Sequence, residues 1–261
     1  MMGVTPSRPP SGPNISRLWR LAEAGLSEAG LVRPANEDAL VRRPEVGLWA
    51  VADGMGGHVQ GAWASAAVAR ALEAVDLAGD LEKDLGSVEG AIQAANTEIW
   101  SHGQRHGGAI GSTVTALLVG EGRYGVLWAG DSRAYVLRAG AMQRLTSDHT
   151  HVQDRLDRRQ LTPEEALVHP LRHVLTRAVG VRADLELGRG WGPLQPGDVL
   201  LLCSDGVHGV MAEAEIARAL GGRDPNEACQ MLQRLCHARG APDNLTMAVL
   251  ATTPSDQAVA V

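Results

Sequence analysis

The sequence predicts an α+β protein built in layers, and three observations support this class. Short apolar runs bounded by turn residues recur through the middle of the chain, as expected for strands joined by hairpins. Segments with apolar residues three and four positions apart flank these runs and predict helices. Strands and helices occur in groups rather than in strict alternation, which favours antiparallel sheets over βαβ units. Runs as apolar as "DVLLLCSD" indicate sheets covered on both faces.

Six apolar runs are predicted as strands. Two turn signals, "GEG" at 120–122 and "RAG" at 138–140, lie within the middle group and predict an antiparallel meander there. The predicted strands are 48–52, 113–119, 124–129, 134–137, 199–203 and 245–251.

Four segments are predicted as helices: 61–76, 87–100, 162–169 and 224–240. The last has the fullest set of boundary signals. Asp224 can cap the helix, Pro225 suits its first turn, Glu227 completes a capping box and Gly240 ends it. The segment at 162–169 begins in the same way, with Thr162 three residues before a glutamate.

Composition limits the class of protein. The 261-residue chain is 44% hydrophobic with a formal net charge of -6, which disfavours a nucleic-acid binder. Three cysteines without a CxxC pair favour a reducing compartment. The sequence contains neither a membrane-length apolar run nor a secretory signal, so a cytoplasmic protein without membrane contact is expected. We also expect a monomer. We expect a disordered leader at 1–14, a folded domain at 15–253 and a tail at 254–261.

Aspartates stand at the ends of the predicted strands or in the adjacent turns. Each one alone is compatible with an ordinary turn aspartate. There are five such aspartates, and if the fold brings them together, divalent cations would offset the repulsion between their carboxylates. Oxygen ligands without cysteine or paired histidine favour Mg²⁺, Mn²⁺ or Ca²⁺, and the Gly54 carbonyl is a possible further ligand. The five are Asp38, Asp53, Asp131, Asp205 and Asp243.

Seven motifs in order resemble those of the metal-dependent Ser/Thr protein phosphatases, the type 2C family, in its compact bacterial form. They are "RPANEDA", "VADGMGGH", "GSTVTAL", "AGDSRAYVLR", "LTRAVG", "LLLCSDGVHGV" and "DNLTMAVL", and they extend from about residue 33 to 250. The resemblance implies a four-layer α-β-β-α sandwich of two mostly antiparallel sheets, each with a helix pair on its outer face. It places a pair of Mn²⁺ or Mg²⁺ ions in a cleft at one end.

The resemblance also implies roles for individual residues. Asp53 corresponds to the ligand that bridges both metals, and the Gly54 carbonyl, Asp205 and Asp243 to the other direct ligands. Asp38 and Glu37 correspond to residues that contact metal-bound water. Asp131, sharing Asp205, corresponds to the ligand of a weaker third metal. Arg33 corresponds to the arginine that binds the substrate phosphate.

The implied reaction is direct hydrolysis of phosphoserine and phosphothreonine in bacterial proteins by a hydroxide that bridges the two metals. His58, after the metal-binding loop, is the candidate acid for the leaving oxygen, although a histidine in such a loop is often merely exposed. Residues 147–173 correspond to a flap beside the active site. Its four histidines are expected to face solvent: His149, His151, His169 and His173.

Three functions remain open from the sequence. The first is a stand-alone phosphatase that reverses a Ser/Thr kinase, and the short leader and loop style resemble phosphatases that control type VI secretion. The second is a non-catalytic module that binds phosphoproteins. The third is a phosphatase of a small phosphoester, because an identical ligand set would serve it.

Overall fold

The computed structural model describes residues 19–106 and 108–254, without the side chains of Trp19, His58 and Pro254. The predicted leader at 1–14 and nearly all of the predicted tail lie outside these residues. The domain boundaries therefore stay expectations. Within the described ranges, no helix combines the length and the apolar character that a bilayer crossing requires.

The described residues form eleven strands and seven helices. The strands are β1 (Trp19–Glu28), β2 (Asp38–Arg43), β3 (Leu48–Met55), β4 (Gly111–Ser112), β5 (Val114–Gly120), β6 (Arg123–Ala129), β7 (Arg133–Arg138), β8 (Ala141–Arg144), β9 (Gly188–Pro193), β10 (Val199–Cys203) and β11 (Leu245–Pro254). The helices are α1 (His58–Ala74), α2 (Leu81–His106), α3 (His151–Asp157), α4 (Pro163–Leu167), α5 (Asp205–His208), α6 (Glu213–Leu220) and α7 (Pro225–Ala238).

Two antiparallel sheets pack face to face. The first has the strand order β1-β11-β10-β7-β8, and the second has the order β2-β3-β5-β6-β9 with β4 paired to β3. Apolar side chains from both sheets, among them Trp49, Val126, Val136 and Leu200, fill the space between them. This inner core joins the two sheets into a sandwich.

Helices cover both outer faces. The apolar sides of α1 and α2 pack on the second sheet through residues such as Val68, Leu72 and Ile92. On the first sheet, α6 and α7 bury Ile216 and Leu232. The resulting four layers confirm the predicted α+β sandwich with flanking helix pairs.

The predicted meander is wrong at its third strand. The hairpin between β5 and β6 is present, and Glu121 and Gly122 both have positive φ (54° and 72°), as a tight two-residue turn requires. The chain then turns at Gly130 and Asp131 and enters the other sheet, where β7 pairs with β10 and β8. A turn that changes sheets and one that closes a hairpin look alike in sequence.

The cap predictions are confirmed in part. At α7, Asp224 accepts a hydrogen bond from the Glu227 backbone N–H at 3.0 Å, which is the first half of the predicted box. The full reciprocal box occurs at α4, between Thr162 and Glu165. Several elements escaped prediction because their sequences lack a clear apolar period, notably β1, β9 and α3.

Candidate functional site

The five aspartates meet at one end of the sandwich because each lies where a strand begins or ends there. Asp38 opens β2 and is the direct cross-strand partner of Asp53 near the end of β3. Asp131 occupies the turn from β6 to β7. Asp205 begins α5, immediately after β10, and Asp243 precedes β11. Antiparallel pairing thus brings residues from 38 to 243 to a single edge.

A cleft of about 560 Å³ opens at this edge. Four of the aspartates line it, and Asp38 lies behind its wall, beside Asp53. A cavity of about 650 Å³ beside α2 is larger but contains none of the five. The chemistry of the lining therefore identifies the smaller cleft as the functional one. Its lining comprises Arg33, Glu37, Asp53, Gly54, Met55, Gly56, Gly57, Thr113, Asp131, His173, Leu175, Asp205, Asp243 and Asn244.

Close backbone packing fixes the loop that carries Asp53. The Gly54 N–H donates to the Glu37 carbonyl at 3.1 Å. A Cβ at Gly54 would overlap the Gly61 carbonyl of α1 and lie 2.6 Å from the Glu37 oxygen. The Asp53 N–H donates to Thr113 Oγ1 at 3.0 Å. The backbone at Gly54 thus approaches two neighbouring carbonyls closely, and only glycine fits there.

The buried carboxylates raise one another's pKa. Burial raises the pKa of Asp53 well above its ordinary value, and the nearby charges of Asp38 and Asp205 raise it further. Burial and the Asp205 charge raise the pKa of Asp131 to about 7. Burial and the charge of Asp243 raise the pKa of Asp205. The mutual repulsion of these carboxylates therefore favours either their protonation or a nearby positive charge.

The surroundings of Asp38 indicate whether these residues suit a cation. Its Oδ2 accepts a hydrogen bond from Ser204 Oγ at 2.8 Å. Its Oδ1 is buried and has no hydrogen-bond partner among the described residues. Burial raises the pKa of this carboxyl to about 7. A hard divalent cation suits such a set, because it prefers oxygen ligands and offsets their repulsion.

The side chains are not gathered into a finished cage. Within 19–106 and 108–254, no three acidic, histidine or cysteine side chains are arranged closely enough to enclose a metal ion. One reason is that the Asp243 carboxylate is paired with Arg33. Arg33 donates to both of its oxygens, from Nε at 2.9 Å and from Nη2 at 2.8 Å. The predicted phosphate-binding arginine and a predicted metal ligand thus contact each other.

Asn244 is a functional residue that the sequence analysis did not identify. Its Oδ1 accepts from the Glu37 backbone N–H at 2.8 Å. Its Nδ2 donates to the carbonyls of Ala29 and Ala35, at 3.1 and 2.9 Å. It therefore holds the loop that carries Arg33 and Glu37 against the start of β11. The motif "DNLTMAVL" contained the signal.

The remaining predicted residues have mixed outcomes. Glu37 lines the cleft. His58 begins α1 next to Gly57, but its side chain lies outside the described part of the chain, so its role stays a prediction. The expectation that all four flap histidines face solvent is wrong for His149, which is 9% exposed and whose ring stacks on Trp128. His151 and His169 are partly buried. His173 is exposed but lies on the cleft wall.

A sequence model of the family described as protein phosphatase 2C matches residues 34–248. The serine/threonine protein phosphatase PstP of Mycobacterium tuberculosis (strain ATCC 25618 / H37Rv) is 37% identical over 234 residues. That match covers 88% of this chain and 44% of PstP, so the chain spans less than half the length of this relative.

Two solved structures of bacterial proteins are similar to this chain over most of its length. PppA, described as a key regulatory component of the T6SS in Pseudomonas aeruginosa, superposes with a TM-score of 0.83 at 37% identity, covering 89% of this chain and 97% of PppA. The catalytic domain of PstP in complex with two manganese ions superposes with a TM-score of 0.80 at 34% identity, covering 90% and 99%.

Proposed function

This chain belongs to the protein phosphatase 2C family, and from that membership we propose that it hydrolyses phosphoserine and phosphothreonine in proteins. The family match agrees with the motifs and confirms the predicted family; phosphatase activity of this chain is part of the proposal. The convergence of Asp53, Asp131, Asp205 and Asp243, from four separate strand ends, on the wall of one cleft is the observation that carries the proposal.

We propose that this cleft holds two Mn²⁺ or Mg²⁺ ions. Asp53 would contribute to both, with the Gly54 carbonyl, Asp205 and Asp243 as further direct ligands. Asp38 and Glu37 would act through water, and Asp131 with Asp205 would hold a weaker third ion. Support comes from the unpartnered Asp38 Oδ1 and from the manganese in the PstP structure. Such ions supply an activated water and neutralise charge on the phosphoryl group.

The protein's own residues bind and orient the substrate. Arg33 lines the cleft, and the Nε/Nη2 edge of its guanidinium donates to both carboxylate oxygens of Asp243. The same planar arrangement of donors fits two phosphate oxygens, which would fix the phosphorus for in-line attack. His58 begins α1 directly after Gly57, a cleft residue. We propose that it gives a proton to the departing serine or threonine oxygen.

A direct assay separates this function from its alternatives. The purified chain is offered a phosphothreonine peptide, a chromogenic phosphate ester and small metabolite phosphates, each with Mn²⁺ or with EDTA. Mn²⁺-dependent release of phosphate from the peptide supports the proposal. Peptide binding without turnover would establish a binding module, and turnover confined to small metabolite esters would establish a small-molecule phosphatase. Either result contradicts the proposed substrate.

We also propose that the chain opposes a bacterial Ser/Thr kinase in the cytoplasm, as a monomer, with type VI secretion as its setting. The T6SS role stated for PppA supports the setting, and three buried free cysteines suit a reducing compartment. Phosphopeptide profiles of a deletion strain should show a small set of sites with increased phosphorylation. An unchanged profile would contradict the regulatory role, and light scattering of the pure protein tests the monomer.

A further inference from the structure

The turn between β6 and β7 carries Asp131, and its backbone is unusual. Gly130 has a φ of +107°, and a Cβ there would lie 2.6 Å from the Thr113 side chain. Glycine adopts this conformation without strain, and the close Thr113 side chain leaves no room for a larger residue. The buried His149 and the partly buried His208 contact this turn, and neither has a role in the reaction described above.

His149 holds the turn from the flap side. Its backbone N–H donates to the Gly130 carbonyl at 2.9 Å, and its Nδ1 accepts from the Gly130 N–H at 3.3 Å. Burial, reinforced by Arg177, lowers the pKa of the ring to about 4, so the ring is neutral. Because Nδ1 accepts this hydrogen bond, the single proton of the neutral ring lies on Nε2, and the 3.5 Å contact between Nε2 and Arg177 Nη1 joins two donors and is not a second hydrogen bond. The His149 carbonyl also accepts from Thr176 N–H at 2.8 Å, which closes the base of the flap.

His208 holds the turn from the opposite side. It lies in α5, three residues after Asp205, and its Nε2 is 2.9 Å from the Asp131 carbonyl. Burial, followed by the charge of Arg133, lowers the pKa of this ring to about 3. Because a carbonyl only accepts, Nε2 must be the protonated nitrogen. One short helix therefore carries both Asp205 and the group that fixes Asp131.

We propose that His149 and His208 are positioning residues that fix the Gly130–Asp131 turn from its two sides and so set the separation of the Asp131 and Asp205 carboxylates. This inference rests on the proposed function, in which those two carboxylates share the weaker third cation. Neither His149 nor His208 is among the residues that line the cleft. Their contribution is geometric, and through His149 it links the base of the flap to the cation site.

Each histidine has a conservative substitute that keeps the relevant atom. In His149→Asn, the amide oxygen can replace the Nδ1 acceptor, and in His208→Gln, the amide nitrogen can replace the Nε2 donor. His149→Leu and His208→Leu remove these groups. Met211→Ala serves as the matched control, because Met211 is buried in the layer beneath α5 and shares no hydrogen bond with the turn among the contacts described.

The first measurement is amide hydrogen exchange in EDTA, which needs neither metal nor activity. Exchange at Gly130 should accelerate by about tenfold in His149→Leu and remain near wild type in His149→Asn, as expected for loss of one hydrogen bond. Unchanged protection in the leucine variant would overturn the role of His149.

The second measurement is Mn²⁺ binding followed by electron paramagnetic resonance. Both leucine variants should weaken the third Mn²⁺ by about tenfold and leave the two tighter ions in place. The Asn and Gln variants and Met211→Ala should bind it as wild type does. Loss of the third ion in a conservative variant or in Met211→Ala would overturn the proposal, and so would a wild-type protein that binds no third ion. These outcomes can be measured even if a leucine variant fails to fold. Hydrolysis of the chromogenic ester at saturating Mn²⁺ tests the proposed function separately.

Discussion

The Arg33 guanidinium binds both carboxylate oxygens of Asp243 across the cleft, at 2.9 and 2.8 Å. The two residues are 210 positions apart in sequence. Each neutralises the other, although the proposed function requires Asp243 for a cation and Arg33 for a phosphate. Binding of cation and substrate must therefore exchange this ion pair for two new ones.

Replacement of Arg33 by Ala should affect metal and substrate in opposite directions. Asp243 loses its partner, so Mn²⁺ should bind about two- to fivefold more tightly, as expected for loss of a partly exposed ion pair. The KM for a phosphopeptide should rise by about tenfold because a bidentate contact to phosphate is lost. Calorimetry and steady-state kinetics measure these effects. An unchanged KM would reject the role of Arg33, and Arg33→Lys, which keeps the charge without the fork, should be intermediate.

Substitution of Asp53 by Asn should remove activity without unfolding the protein. We expect a loss of about 10³-fold or more in kcat, because the residue assigned to both cations loses its charge. In EDTA the variant should melt above the wild type, since one of several repelling buried carboxylates is gone. Glu186→Gln, at a carboxylate that is 77% exposed, is the matched control and should change neither property. Normal turnover in Asp53→Asn would refute the bridging role.

Stability without metal should fall as pH rises. Asp38 and Asp131 have pKa values raised to about 7, whereas an unfolded aspartate titrates near about 4. A raised pKa contributes stability that is complete below about pH 4 and is lost as the pH rises through about 7. In EDTA, the melting temperature should therefore decrease between pH 5 and 8, and Mn²⁺ should restore it most at pH 8. A melting temperature that increases over this range would contradict the crowding of the carboxylates.

Gly54→Ala should destabilise the protein by about 3 kcal/mol or more, because the added Cβ meets backbone carbonyls of Gly61 and Glu37 that cannot move independently. Gly86→Ala is the matched control. Gly86 lies within α2, and a Cβ there meets nothing within 4 Å. That variant should be stabilised by up to about 1 kcal/mol. Urea unfolding in EDTA measures both, and equal stabilities would contradict the packing of the loop.

The sequence located aspartates at strand ends, the family resemblance implied that they meet in one cleft, and neither predicted how the side chains would be arranged. Apolar runs that end in aspartate locate strand ends, and antiparallel pairing then brings Asp53 and Asp131 to one edge. The contact between Arg33 and Asp243 could not be predicted, because it depends on side-chain conformation across 210 residues. The burial of His149 was missed for a related reason: its neighbours in sequence are polar, and its contacts with Trp128 and Gly130 form only in the fold.

The most direct test is the anomalous scattering of manganese in a crystal soaked in MnCl₂. We predict two strong peaks in the cleft, about 3.5–4 Å apart, with the Asp53 carboxylate between them and with Asp205 and Asp243 as ligands after Asp243 has left Arg33. A soaked crystal without manganese in this cleft, with Asp243 still bound to Arg33, would contradict the proposed metal centre.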